Sequence, residues 1–200
     1  GNTGSKIDRI DYANDTATAQ TKGSLTWAGN RKAATGSKDF GYFSGGGFPE
    51  STRVDRIDYS SDTGTASPKG PLDFVVRDHQ GFSAREYGLP QTPIPKSITP
   101  AMIGNPVGPA HGYFAGGYGY SGDVSLVQRI HFANDTATAS NRGNLPIAMK
   151  NAAGGSNSTH GYTFGGYYNY STQSSTHRVD YANDSVAATP KGKLLSLIHI

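Results

Sequence analysis

The sequence predicts an all-β chain assembled from one short-stranded unit used several times over. Three observations lead there. An Arg-aliphatic-Asp-Tyr anchor recurs as RIDY at 9–12, RIDY at 56–59, RIHF at 129–132 and RVDY at 178–181. A second anchor, GYFSGG at 41–46, GYFAGG at 112–117 and GYTFGG at 161–166, precedes three of those four. The composition suits turns and short strands, with 27 glycines and 12 tyrosines in 200 residues and only 16% charged side chains. A helical protein would draw instead on Ala, Leu, Glu and Lys.

Within the unit the elements follow in order. In its cleanest copy the strands are KAATG at 32–36, FGYFSGG at 40–46, TRVDRIDY at 52–59 and TGTAS at 63–67. Alternation along RIDY puts Ile57 and Tyr59 on one face and Arg56 and Asp58 on the other. That polar pair reads as a structural ion pair with a neighbouring strand. Tyr12-Ala-Asn-Asp15 and Tyr59-Ser-Ser-Asp62 read as tight turns, in which Asn and Asp bond their own backbone. The Gly45-Gly46 doublet marks positive φ or a close backbone approach. A four-stranded unit of about 48 residues cannot bury both faces alone, so it must stack on its neighbours, radially in a propeller.

Repeats of this length with four strands and a Gly-Gly doublet resemble the kelch family. GYFSGG matches that family's aromatic strand ending in two glycines, and VDRIDYSSDTGTA its following strand and tyrosine-led turn. The tryptophan that kelch repeats place after the turn is here Thr65 or Ala66, so the repeat is a divergent one. The phrasing GYFSGGG…STRVDRIDYSSDTGTASPKGPL is also similar to repeats of marine bacteriophage tail-fibre and structural proteins. The resemblance implies a β-propeller fragment of about three four-stranded antiparallel blades plus a partial one. The expected boundaries are a partial blade at 1–24, a blade at 25–72, a proline-rich insert at 73–100, and blades at 101–145 and 146–194. The last six residues, LSLIHI at 195–200, resemble a translated sequencing adapter and read as a non-native tail.

The insert follows from spacing. Successive anchor arginines, Arg9, Arg56, Arg129 and Arg178, lie 47, 73 and 49 residues apart. The excess falls near 73–100, where Pro90, Pro93, Pro95 and Pro100 rule out a regular helix or a central strand. It reads as an excursion between blades, leaving from the same edge as the loops after each Gly-Gly.

Those loops, 47–51, 118–126 and 167–176, differ between copies while the strands do not. They carry Phe48, Tyr118, Tyr120, Tyr167, Tyr168 and Tyr170 among Ser, Gly and Asn, a composition suited to adaptable recognition. These six aromatics are the candidate binding residues. No catalytic or metal site is expected, and no cofactor. His111 and His160 sit at equivalent positions, but no third ligand repeats with them. His131 replaces the repeat's aspartate. Asp15, Asp62, Asp135 and Asp184 recur as turn residues without the ligand density that calcium needs. The glycine doublets lie within β structure, so none opens a phosphate-binding helix.

A formal charge of +3 without a basic run argues against nucleic acid. No apolar run is long enough to cross a membrane. The absence of cysteine removes disulfides and thiolate metal sites, and leaves the redox compartment open. The functional expectation is a non-enzymatic structural or adhesion module of a phage tail fibre. It would be located in a virion or outside the cell, with a host-surface glycan or protein, or other virion proteins, as partners. The alternative is a bacterial secreted, periplasmic or cell-surface kelch-like protein with ligand-binding or sugar-oxidase-type activity.

Overall fold

The computed structural model describes residues 4–47, 50–84 and 111–195. Their regular structure is β, interrupted only by single 3₁₀ turns. Strands β1 (Lys6–Arg9) and β2 (Gln20–Ser24) form an antiparallel pair. Sheet I follows in sequence order as β3 (Ala33–Gly36), β4 (Phe40–Ser44), β5 (Val54–Asp58) and β6 (Ser67–Pro68). Sheet II begins with β7 (Gln80–Ser83) and β8 (His111–Ala115). The small hairpin β9 (Tyr118–Gly119) and β10 (Gly122–Asp123) comes next, then β11 (Val127–His131) and β12 (Ser140–Asn141) complete sheet II. Sheet III is β13 (Ala153–Ser156), β14 (His160–Phe164), β17 (Thr176–Asp180) and β18 (Thr189–Lys191), with the hairpin β15 (Tyr167–Tyr168) and β16 (Ser171–Thr172) between its middle strands. All pairings are antiparallel, and the β1–β2 pair corresponds to the third and fourth strands of the larger sheets. Among the described residues no helix is long and apolar enough to cross a membrane.

The core lies between successive sheets. Tyr42, Val54 and Leu72 of sheet I meet Phe114, Ile130 and Phe132 of sheet II. Phe82, Tyr113 and Val127 of sheet II meet Val179 and Tyr181 of sheet III. Leu25, Ile57 and Ala66 join the first pair to sheet I. Tyrosine stacking repeats at these seams, with Tyr42 on Phe132 and Tyr113 on Tyr181, each at 5.1 Å between ring centres. The first strands also converge. A Cβ on Gly81 would strike the Ala34 carbonyl oxygen, and one on Gly154 the Gly81 oxygen, so β3, β7 and β13 approach at backbone distance only because glycine stands there.

A charged clamp repeats at every seam. Asp135, in the turn after β11, accepts from Arg56 Nη1 at 2.7 Å and Tyr42 Oη at 2.9 Å, with Lys69 Nζ at 3.3 Å. Asp184 accepts from Arg129 at 2.8 Å and Tyr113 at 2.8 Å, with Arg142 at 3.5 Å. Asp62 accepts from Arg9 at 2.7 Å, with Lys22 at 3.9 Å. The backbone oxygens of these aspartates accept from Gly23, Gly70 and Gly143 at 2.7, 2.7 and 2.8 Å. Burial and the hydrogen bond to aspartate together raise the Tyr42 and Tyr113 phenols.

Three expectations are corrected. Arg56 pairs with a turn of the next sheet and not with a neighbouring strand, whereas Asp58 caps its own 3₁₀ turn by accepting from Ser60 N at 2.9 Å. The fourth strand shrinks from 63–67 to Ser67–Pro68. The reason is that Ala66 N donates across the seam to Ser24 O at 2.8 Å, which takes that stretch out of its own sheet. The 73–100 excursion does not begin at 73, because Gln80–Ser83 form the first strand of sheet II and pair along β8. The chain leaves that sheet after Ala84 and re-enters at His111, the end away from Tyr118, so the extra residues join first to second strand and not one sheet to the next. Residues 85–110 and 196–200 lie outside the described residues.

Candidate functional site

The loops after each glycine doublet are built as hairpins, and the doublet makes them possible. Gly116 and Gly117 have φ of +61° and +112°, Gly165 and Gly166 of +62° and +102°, the left-handed region in which a side chain is strained. They swing the chain out of β8 and β14 into β9 and β15. The β15–β16 hairpin closes through Asn169 and Tyr170, both at positive φ (+43° and +64°), as in a two-residue type I′ turn. Such a φ is common for Asn and rare for Tyr, and it costs on the order of 1 kcal/mol. Tyr170 is 90% exposed at this turn.

A second element comes from the residues just before the first strands. Arg31, Asp78 and Asn151 occupy equivalent places in consecutive units and all three are left-handed, at φ +60°, +56° and +53°. Backbone bonds link them in series, from Asp78 N to Arg31 O at 3.1 Å and from Asn151 N to Asp78 O at 2.8 Å. Beside them Arg77 exchanges two backbone bonds with Tyr118, and Lys150 two with Tyr167.

Hairpins and linked residues enclose an open basin of about 850 Å³, lined by Arg31, Arg77, Asp78, Tyr118, Gly122, Asp123, Lys150, Asn151, Tyr168, Asn169 and Tyr170. Its charges are largely matched. Asp78 accepts from Arg77 at 3.0 Å and Arg31 at 3.4 Å, Asp123 accepts from Lys150 at 2.8 Å, and Arg77 also reaches Glu50 at 2.9 Å. Arg77 and Lys150 both stand over the Tyr118 ring, at 4.5 and 4.6 Å from its centre. Burial raises the Asp78 carboxyl, opposed by Arg31 and Lys150. Fixed carboxylates, cations and an amide beside aromatic rings can bond a polyhydroxylated ligand on its edges and cover its apolar faces.

Of the six nominated aromatics, Tyr118, Tyr168 and Tyr170 line the basin. Tyr167 stands beside it, its ring 5.6 Å from Lys150 Nζ. Tyr120, at the tip of the β9–β10 hairpin and 73% exposed, is not part of the lining. Phe48 lies outside the described residues. Sequence reasoning missed Arg31, Arg77, Asp78, Asp123, Lys150 and Asn151. The signal available was a polar residue recurring just ahead of each first strand.

Elsewhere, His111 faces His131 across paired strands at 4.7 Å and not His160. Burial, with Arg129 nearby, lowers its imidazole to about 4. His79 is wholly buried, hydrogen bonded to Ser44 Oγ at 2.9 Å, and held down at about 3 by burial. Among the described residues no group of three or more His, Asp or Glu side chains is placed to hold a metal ion. No family model matches this chain, and neither does any curated protein.

Proposed function

We propose that this chain is a non-enzymatic adhesion module, part of a kelch-like β-propeller of the phage tail-fibre kind, which binds a host-surface glycan in the basin between its hairpins. The observation that carries the reading is the convergence of Tyr118, Tyr168 and Tyr170 with Asp78, Asp123, Lys150 and Asn151 in one open basin. Three features support a glycan over a protein partner. The basin is concave and of ligand size. Its polar groups are oriented by salt bridges before any ligand arrives, which lowers the ordering cost of binding. Tyr168 and Tyr170 are exposed, so a sugar's C–H face can lie on their rings. Propeller architecture is supported by consecutive four-stranded sheets with converging first strands and a core at each seam.

The test replaces Tyr168 and Tyr170 together with serine and measures binding to a glycan array and to host cells, with Tyr120→Ser as the control outside the basin. Loss of at least about tenfold in affinity is expected for the pair, on the order of 1.4 kcal/mol, and less than about twofold for the control. Equal effects of the two variants, or undiminished binding by a folded double variant, overturn the proposal.

A further inference from the structure

Three cations of the basin gather around one carboxylate. Asp78 accepts from Arg77 Nη1 at 3.0 Å and from Arg31 Nη1 at 3.4 Å, and its carboxyl also feels the charge of Lys150. The two other carboxylates nearby are already engaged, Asp123 with Lys150 Nζ at 2.8 Å and Glu50 with Arg77 Nε at 2.9 Å. Glu50 is not part of the lining, so the basin wall holds three cations against two carboxylates, one positive charge in excess.

The surface a ligand meets is more one-sided than that count. The Asp78 and Asp123 side chains are 12% and 11% exposed, whereas those of Lys150 and Arg31 are 22% and 42% exposed. The carboxylates are the covered partners and the cations the presented ones. A concave wall of one sign concentrates its field on whatever enters. Both cations are also placed from the backbone up. Arg31 leaves a left-handed residue whose carbonyl accepts from Asp78 N at 3.1 Å, and Lys150 leaves a residue joined to Tyr167 by two backbone bonds. An anionic group arriving beside them finds charge-assisted donors, and Arg31 offers a planar fork that matches the paired oxygens of a carboxylate or sulfate. Burial already raises the Asp78 carboxyl, so a second anion next to it can be met by a proton at less cost than at an exposed aspartate.

We infer that the glycan taken by this basin is an acidic one, its carboxylate or sulfate ester seated against Arg31 and Lys150 beside Asp78 while its sugar rings lie along Tyr168 and Tyr170. This rests on the glycan reading of the basin and adds the charge class of the ligand. Arg31 is then the residue that sets specificity, and the tyrosines supply affinity that neutral and acidic sugars share.

Binding of the chain to an array of carboxylated glycans, sulfated glycans and the neutral parent of each tests this. Acidic members should bind at least about tenfold more tightly than their neutral parents. Converting the carboxyls to methyl esters, or removing the sulfates, should abolish that preference without altering the protein, and the treatment that does so identifies the anion. Arg31→Gln should lower the preference by about fivefold or more, and Arg31→Lys, which keeps the charge and loses the fork, by less. Tyr120→Ser should retain it, and circular dichroism verifies that each variant is folded. Neutral glycans bound as tightly as acidic ones, with binding still lost when Tyr168 and Tyr170 are both serine, overturn this inference and leave the glycan reading standing. A preference for acidic members undiminished in Arg31→Gln overturns the role of Arg31. An array on which no glycan is bound overturns the reading itself, and this inference with it.

Discussion

Replacing Asp135 with alanine isolates the contact that joins sheets I and II. The carboxylate is 9% exposed and holds Arg56, Lys69 and the Tyr42 hydroxyl at 2.7, 3.3 and 2.9 Å. Its removal strands two cations and a buried phenol, and breaking a buried pair from one side typically costs 3–5 kcal/mol. The Arg56 side chain is 25% exposed, so water recovers part of that loss, and a destabilisation of about 3 kcal/mol is expected. The matching change at Asp62 is a built-in comparison. There Arg9 is 53% exposed, Lys22 stands 3.9 Å away and no tyrosine takes part, so Asp62→Ala should cost about 1 kcal/mol or less. Urea denaturation of both variants gives the two values, provided the slope of stability against denaturant stays constant. A double-mutant cycle of Asp135→Ala with Arg56→Met then separates the pairwise coupling from the cost of the stranded arginine. Equal losses at Asp135 and Asp62, or a loss below about 1 kcal/mol at Asp135, would refute the view that this clamp holds the seam.

The remaining predictions concern pH and backbone packing. His79 is buried neutral with its imidazole held at about 3, so below its unfolded value of 6.5 the unfolded chain takes up the proton first and stability falls with pH. By pH 4.5 the loss should reach about 3 kcal/mol. The urea midpoint of His79→Gln should vary less between pH 7 and 4.5 than that of the wild type, and parallel curves would contradict the assignment. Gly70→Ala drives a Cβ into the Ala137 carbonyl and should cost about 2 kcal/mol or more. Gly64→Ala, with nothing within 4 Å, should lie within about 0.5 kcal/mol of wild type or slightly above it. Thermal melts of that pair read both effects, and indistinguishable midpoints would count against the close approach.

The repeat, the four strands and the tyrosine-led turn were legible because each depends on residues near one another in sequence. The partner of Arg56 was not, since Asp135 lies 79 residues further on and a periodic pattern does not say which copy meets which. The insert was misplaced for a related reason. Ala34 and Gly81, which meet between the first strands, are 47 residues apart, a normal interval; Phe43 and Phe114, at matching places in the second strands, are 71 apart. Only the two intervals together place the extra chain between first and second strand. In the basin, Tyr118, Tyr168 and Tyr170 announced themselves as variable aromatics. Arg31, Asp78 and Asn151 did not, because their place at the rim depends on a left-handed backbone that Gly would signal and Arg conceals.

The division between constant and variable positions now has a physical cause. Arg, Tyr, Lys or Arg, Gly and Asp recur because each seam between two four-stranded sheets needs all of them within a few ångströms, and losing one leaves the others charged or polar with no partner. The hairpins after the glycine doublets face no such demand, since their backbone bonds close within the hairpin or onto the residue ahead of the neighbouring first strand. They are free to carry Tyr-Gly-Tyr in one unit and Tyr-Tyr-Asn-Tyr in the next. The basin is nevertheless a joint product of several units, because Arg31, Asp78 and Asn151 come from three of them and are tied in series by backbone bonds. A single unit could present a hairpin, but only clamped neighbours place two hairpins and three rim residues around one ligand-sized space.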